Sequence, residues 1–186
     1  MNLSPKVIEQ ITITGPCGTG KGSAGTLTAR LLDFAFVSLG DIFRAVARDR
    51  GCADISELHD RAKTDPTIDL TIDRHTQLYG EEKNYFVYDA RLGWHWMPRS
   101  FKVFLDCSDD ERFRRIAQRE KKSIELVREE TLSREEKMRE QYLHLYQIED
   151  FMRRDENRFN LIIDTTKYSP EEVADEIVHA FTRRII

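Results

Sequence analysis

Apolar residues recur along this chain with two alternating periods. Short runs that are apolar or of period two read as β-strands at Gln10–Thr14, Ala35–Ser38, residues 85–89, Phe101–Asp106 and residues 160–164. Between them the spacing lengthens to three and four residues, the period of a helix with one buried side. Helices are predicted over residues 22–32, over residues 41–50 with Ile42 and Val46 on one face and Gly51 as the stop, and over Ile55–Ala62. Asp54 with Glu57 reads as a capping box for the third of these, and Pro66 as the first position of another helix carrying Ile68 and Ile72. Ser108 with Glu111 reads as a capping box opening a helix through Arg119. Ser169 with Glu172, and Pro170 at the first helical position, open the last helix, to about Arg183.

Strands that alternate with helices argue for βαβ units and a parallel sheet, and short apolar strands suit a sheet covered on both faces. Two helical stretches interrupt the alternation, residues 41–80 and the highly charged residues 107–158. By periodicity alone they either cover the sheet or form an acceptor-binding subdomain and a closing lid. With no internal repeat and no low-complexity linker, 186 residues suit one domain.

The first strand runs directly into Gly15-Pro16-Cys17-Gly18-Thr19-Gly20-Lys21-Gly22-Ser23, a glycine-rich loop followed by a helix pattern. In such a loop, backbone N–H groups point at phosphate oxygens, the helix offers its positive N-terminus, and the lysine adds a point charge between the outer phosphates. The expectation is a bound nucleoside triphosphate, with Lys21 on its phosphates. The generic motif carries Ser or Thr directly after the lysine. Here Gly22 intervenes, and Ser23 is the hydroxyl that would approach Mg²⁺ or a phosphate oxygen. Cys17 would bind through its backbone, its thiol being incidental or oxidation-sensitive.

Charge and composition narrow the partners. With 29 basic and 33 acidic residues the net charge is −4, which does not favour nucleic-acid binding, so any anion must meet a local basic cluster. No stretch reads as a membrane span or a signal peptide. Cys17, Cys52 and Cys107 lack paired spacing and read as free thiols of a cytoplasmic protein, and the histidines lack metal-ligand spacing.

Three further strings follow strands: Ser38-Leu39-Gly40-Asp41-Ile42-Phe43-Arg44, Tyr88-Asp89-Ala90-Arg91-Leu92-Gly93, and Ile162-Ile163-Asp164-Thr165-Thr166-Lys167-Tyr168-Ser169-Pro170-Glu171-Glu172-Val173. Together with the loop, in order and over residues 10–180, they resemble the cytidylate kinase family of nucleoside monophosphate kinases, in particular its short archaeal-type branch. The resemblance implies a P-loop NTPase fold, a three-layer α/β/α sandwich on a five-stranded parallel sheet. It divides the chain into a core of residues 1–40, 81–106 and 159–186, an acceptor-binding insertion of 41–80 and a lid region of 107–158. It implies Mg²⁺-assisted phosphoryl transfer from ATP to a nucleoside monophosphate, CMP or dCMP first, by a monomer or weak dimer that binds small nucleotides and neither nucleic acid nor membrane.

By the same resemblance, ATP lies on Gly15, Pro16, Cys17, Gly18, Thr19, Gly20, Lys21, Gly22 and Ser23, with Thr165 and Thr166 near the adenine. The acceptor meets Gly40, Asp41, Arg44, Asp73, Asp89 and Arg91, and Ser23 serves the metal. Asp69 and Arg74 share the helix with Asp73. Lys21, Arg91, Arg134 and Arg139 carry the catalysis, with Arg115 and Arg119 as further lid candidates. Arginine suits a phosphate because its planar fork meets two oxygens. Trp94, His95 and Trp96 read as a capped core edge. Ala90 departs from the family's usual glycine. Two other readings stay open, a P-loop kinase with another acceptor and a non-catalytic nucleotide-binding regulator, the latter kept alive by Ala90.

Overall fold

Gln10–Thr14 (β1) alternates Ile and Thr and is buried along its whole length, a pattern that fits only the centre of a sheet covered on both sides. The computed structural model describes residues 9–53, 55–62, 65 and 67–184. Its other strands are β2 (Ala35–Ser38), β3 (Phe86–Asp89), β4 (Phe101–Asp106) and β5 (Leu161–Asp164). All pair in parallel, in the order β2-β3-β1-β4-β5. Ile13 stands opposite Asp89 on one side and Val103 on the other, so β1, β3 and β4 end on one rim. In open parallel sheets that rim is where ligands bind.

Helices α1 (Lys21–Leu32) and α8 (Pro170–Arg183) cover one face. There Ile11, Ile13, Val87, Val103 and Leu105 pack against Ala24, Ala29, Val173, Ile177 and Phe181. The other face carries α4 (Thr67–Glu82) and α5 (Gly93–Trp96), with Phe86, Tyr88 and Met97 buried beneath Tyr79. The threonines of β1 look to this second face. Thr12 Oγ1 lies 2.9 Å from Ser100 Oγ, and Thr14 Oγ1 donates to Ala90 O at 3.0 Å. Gly93 lets α5 approach, since a Cβ there would come 3.2 Å from Thr12 Cβ. Helices α2 (Leu39–Asp49) and α3 (Ile55–Ala62) follow β2. Helices α6 (Asp109–Glu120) and α7 (Ile124–Tyr146) lie between β4 and β5.

Strands β1, β2 and β4 have the bounds expected from the pattern, while β3 and β5 each begin one residue later. The N-terminus of α2 differs more. Ser38 Oγ accepts from Asp41 N–H at 3.3 Å, so the helix starts at Leu39, directly off the strand. The box at Ser169 forms as expected, with Glu172 Oε2 accepting from Ser169 N–H at 2.8 Å. The box at Ser108 does not form. Glu111 is held by Arg114 and Arg115, which drop its carboxyl to about 2, and Ser108 N–H donates to Thr166 Oγ1 at 2.9 Å. Asp54 and Pro66 lie outside the described residues. No helix among the described residues is long and apolar enough to cross a membrane.

Candidate active site

The turn from β1 into α1 depends on glycine. Gly18 and Gly20 take φ of +85° and +87°, where other residues are strained. A Cβ at Gly18 would also meet Arg112 O at 2.5 Å. Gly20 is the N-cap of α1 and faces open space, leaving the helix N-terminus unshielded for an anion. Lys21 Nζ folds back and donates to Gly15 O at 2.8 Å and Pro16 O at 2.7 Å. Burial lowers its pKa, against the opposing pull of Asp89. Ser23 lies exposed on the first turn of α1.

The carboxyl end of β5 braces this turn. Thr165 Oγ1 lies 3.0 Å from Thr19 O and 2.9 Å from Asp106 O, and Arg115 donates to Thr165 O at 2.7 Å. Thr166 Oγ1 donates to Asp164 at 2.5 Å. Thr165 thus touches the loop at Thr19, and the hydroxyls of both threonines are committed to tying strand ends together.

Two arginines from distant segments converge on Cys17. Arg91, just past β3, donates to its sulfur at 3.3 Å, and Arg134 of α7 donates at 3.1 Å. Burial alone would raise the thiol's pKa, but Arg91, Arg134 and Lys21 together bring it down to about 7. Asp89 ends β3 beside Lys21. Burial pushes its carboxyl up, against the favourable charges of Lys21, Arg91 and Arg44. Arg44 is paired with Asp41, one turn earlier on α2. Lys21, Asp89, Arg91, Arg134, Asp41 and Arg44 thus form one cluster around the loop. Arg139 is not among the groups around Cys17. It donates to Glu136 at 2.5 Å. Arg119 pairs with Glu120, and Arg74 reaches Gln77 at 3.4 Å.

Two residues at the loop escaped the sequence reading. Glu135 accepts from Cys17 N–H at 3.3 Å and takes both ends of the Arg112 guanidinium, at 2.9 and 3.1 Å. The two side chains are only 6% and 5% exposed. Each sits in a charged run that reads as a solvated helix face, and they are too far apart for helical spacing to pair them.

A cavity opens between α2, α4 and α7, lined by Leu39, Phe43, Asp69, Asp73, Leu92 and Tyr142. Gln141 donates to Asp69, and Tyr146 donates its hydroxyl proton to Asp73. Burial raises both carboxyls, Asp73 to about 6, with the Tyr146 hydroxyl opposing the rise and Asp69 adding to it. Trp94 and Trp96 pack with Leu92, Met138, Ile148 and Phe151, the expected core edge. Ala90 has no left-handed backbone, and its methyl lies in the core with Phe86, Tyr88 and Met97, 3% exposed. The Ala90 methyl is therefore packed into the core and not presented at the rim.

For Mg²⁺, a hydroxyl at Ser23 and a carboxylate at Asp89, whose Oδ2 a Cβ at Gly22 would approach to 3.8 Å, are the hard oxygen donors that ion takes. Among the described residues no three His, Cys, Asp or Glu side chains group as metal ligands.

A family model described as an AAA domain matches residues 11–144. The chain is 35% identical over 173 residues to a cytidylate kinase of Halobacterium salinarum, covering 91% of this chain and 88% of that protein. It is 31% identical over 174 residues to an S-adenosylmethionine-dependent nucleotide dehydratase of Lacinutrix mariniflava, covering 94% of this chain and 36% of that protein. In fold it is similar to shikimate kinase from Acinetobacter baumannii, with a TM-score of 0.60, 13% identity and 96% of each chain covered.

Proposed function

The chain belongs to the cytidylate kinase family, a family of phosphotransferases, and from that premise we propose that it phosphorylates CMP or dCMP at the expense of ATP. An oxygen of the acceptor's phosphate attacks the γ-phosphorus of ATP. The bond from that phosphorus to the β–γ bridging oxygen breaks, its electron pair leaves with ADP, and a nucleoside diphosphate is formed. The observation that carries this reading is the convergence of Lys21, Asp89, Arg91 and Arg134 on the phosphate loop.

There is little covalent chemistry for the protein to do, so its task is to align two anions and offset their charge. Lys21 leaves Gly15 O and Pro16 O for the donor phosphates. The amides of Gly18, Thr19, Gly20, Lys21 and Gly22 ring the same group, and the ribbon of Gly15, Pro16 and Cys17 supports it. Arg91 and Arg44 leave Cys17 and Asp41 for the acceptor phosphate, and Gly40 keeps the start of α2 open beside it. Arg134 approaches from α7 over the transferring group, and Arg139 follows it on closure. Mg²⁺, held by Ser23 and Asp89 with the phosphates, supplies further charge neutralisation when bound. Residues 41–80 act as the acceptor-binding insertion and 107–158 as the lid, whose closure excludes water and limits wasteful hydrolysis. The match of both relatives to proteins named for nucleotides supports a nucleotide acceptor.

The test is ADP production from ATP and Mg²⁺ with CMP, dCMP, UMP, AMP and unrelated alcohols in turn. Transfer is expected to CMP and dCMP above the rest, and Lys21→Ala and Arg91→Ala should each lower turnover by at least about 100-fold with the fold intact. ATP binding without transfer to any acceptor, or near-normal rates in both variants, would overturn the proposal.

A further inference from the structure

We propose that Glu135 is a positioning residue of the transfer reaction: bonded to the phosphate loop and to Arg112, it sets the register of α7 that carries Arg134 over the transferring phosphoryl group. This rests on the kinase reading above and names what that reading leaves open, how an arginine on a long exposed stem is brought to one place.

Arg134 has little to hold it by itself. Its side chain is exposed, and its hydrogen bond runs to Cys17 Sγ at 3.1 Å. Fixing an arginine costs much rotamer freedom, so the backbone beneath it must already stand in the right place. The next residue supplies that. Glu135 Oε1 accepts from Cys17 N–H at 3.3 Å and from Arg112 at 2.9 Å, and Oε2 accepts from Arg112 at 3.1 Å. Consecutive residues of one helix therefore grip the same loop residue, Arg134 by its thiol and Glu135 by its amide.

Arg112 is suited to be the fixed point. Its guanidinium also donates to Asp109 at 2.7 Å and lies 4.2 Å from the ring centroid of Phe113, which is fully buried. Its carbonyl abuts the loop at Gly18, where a Cβ would come within 2.5 Å of it. Helix α6 is thus seated on the loop, and α7 is keyed to both at Glu135. A second tie between the two helices, Arg128 with Asp110 at 2.9 Å, is exposed and contributes little. Stability alone does not call for a buried ion pair. Apolar side chains of similar volume often serve such a site as well or better, because the desolvation of two charges offsets their attraction. What the bidentate fork adds is direction, since its two parallel bonds fix the approach of one helix to the other. Direction matters here because a misplacement of about 1 Å can lower a rate by about 100-fold.

The experiment replaces the pair by apolar residues, Arg112→Met together with Glu135→Leu, which leaves the net charge unchanged. The double variant should unfold at a urea concentration close to that of the wild type. Its kcat with CMP should fall at least about tenfold, with KM for CMP changed less than about threefold. Adding Arg134→Ala should then cost less than about a further twofold, although in the wild-type background it should cost at least about tenfold. A readout independent of transfer is alkylation of Cys17, whose midpoint near 7 should rise in the double variant as in Arg134→Ala. If the double variant does not fold, Glu135→Gln takes its place. It keeps one oxygen for Cys17 N–H but cannot accept both arms of Arg112, and the same non-additivity with Arg134→Ala is expected. Wild-type kcat and midpoint in the double variant, or an undiminished Arg134→Ala effect in its background, would overturn the inference and leave the kinase reading standing. Absence of transfer from the wild-type chain to every monophosphate would overturn the kinase reading, and this inference with it.

Discussion

At the scale of single residues, Cys17 and Asp73 have surroundings that shift their protonation in measurable ways. Cys17 is brought to about 7 by Arg91, Arg134 and Lys21 working against burial, so much of it is thiolate at neutral pH. Its alkylation by iodoacetamide should rise with pH around a midpoint near that value, ahead of the buried Cys52 and Cys107. Arg134→Ala should move the midpoint upward, and ATP should slow the reaction. Peptide mapping after timed labelling checks this, and an unmoved midpoint in the variant would refute the role given to Arg134. Asp73 holds its proton more tightly folded than unfolded, with a folded value of about 6 against an ordinary value near 4. Its favourable contribution is therefore complete below about pH 4 and is lost as the pH rises to about 6. At pH 7.5 its ionised form is a burden on the fold. Asp73→Asn should then stabilise the protein by on the order of 1–2 kcal/mol at pH 7.5 and hardly at all at pH 4, in urea melts at both values. The phosphate loop was legible because its chemistry is local, a property of nine consecutive residues. The Arg91–Cys17–Arg134 contact was not, because it joins positions far apart in sequence and only the fold brings them together.

Among the elements, α6 and α7 are joined by a buried ion pair. Removing Glu135 leaves Arg112 buried with only the exposed Asp109 to answer it. Glu135→Ala should cost about 3 kcal/mol in urea denaturation, whereas Asp109→Ala should cost less than about 1 kcal/mol. The same Glu135 variant frees Cys17 N–H and should raise KM for ATP, a change that Asp109→Ala should lack. Equal costs for the two would mean that burial is not what gives this pair its weight. The strands and most helices could be read from the pattern because β-branched runs and helical spacing declare themselves over short windows. Two features could not. The four-residue α5 is too short to show a period, and the failed cap at Ser108 turned on the capture of Glu111 by two arginines on its own helix.

For the molecule as a whole, the order β2-β3-β1-β4-β5 puts the loop at the middle of the sheet, and α7 spans the mouth beside it. Arg134 and Glu135 meet the loop. Gln141 and Tyr146, up to three turns further along the helix, meet α4. Trp96 lies edge-on to Tyr146, with ring centroids 5.1 Å apart, so displacement of Tyr146 alters the surroundings of an indole. Tryptophan fluorescence should therefore change on adding CMP and much less on adding ATP. The response should survive Trp94→Phe and vanish in Trp96→Phe; persistence in the latter would exclude movement of Tyr146 as its source.

A rigid bar fastened at both ends cannot be released at one without slackening the other. Under the proposed kinase function, whichever nucleotide arrives first would do part of the unfastening for its companion, and linkage would make the benefit mutual: the factor by which ATP tightens CMP would be the factor by which CMP tightens ATP. An enzyme of that kind would resist being half loaded, and would guard its triphosphate best when no acceptor is at hand.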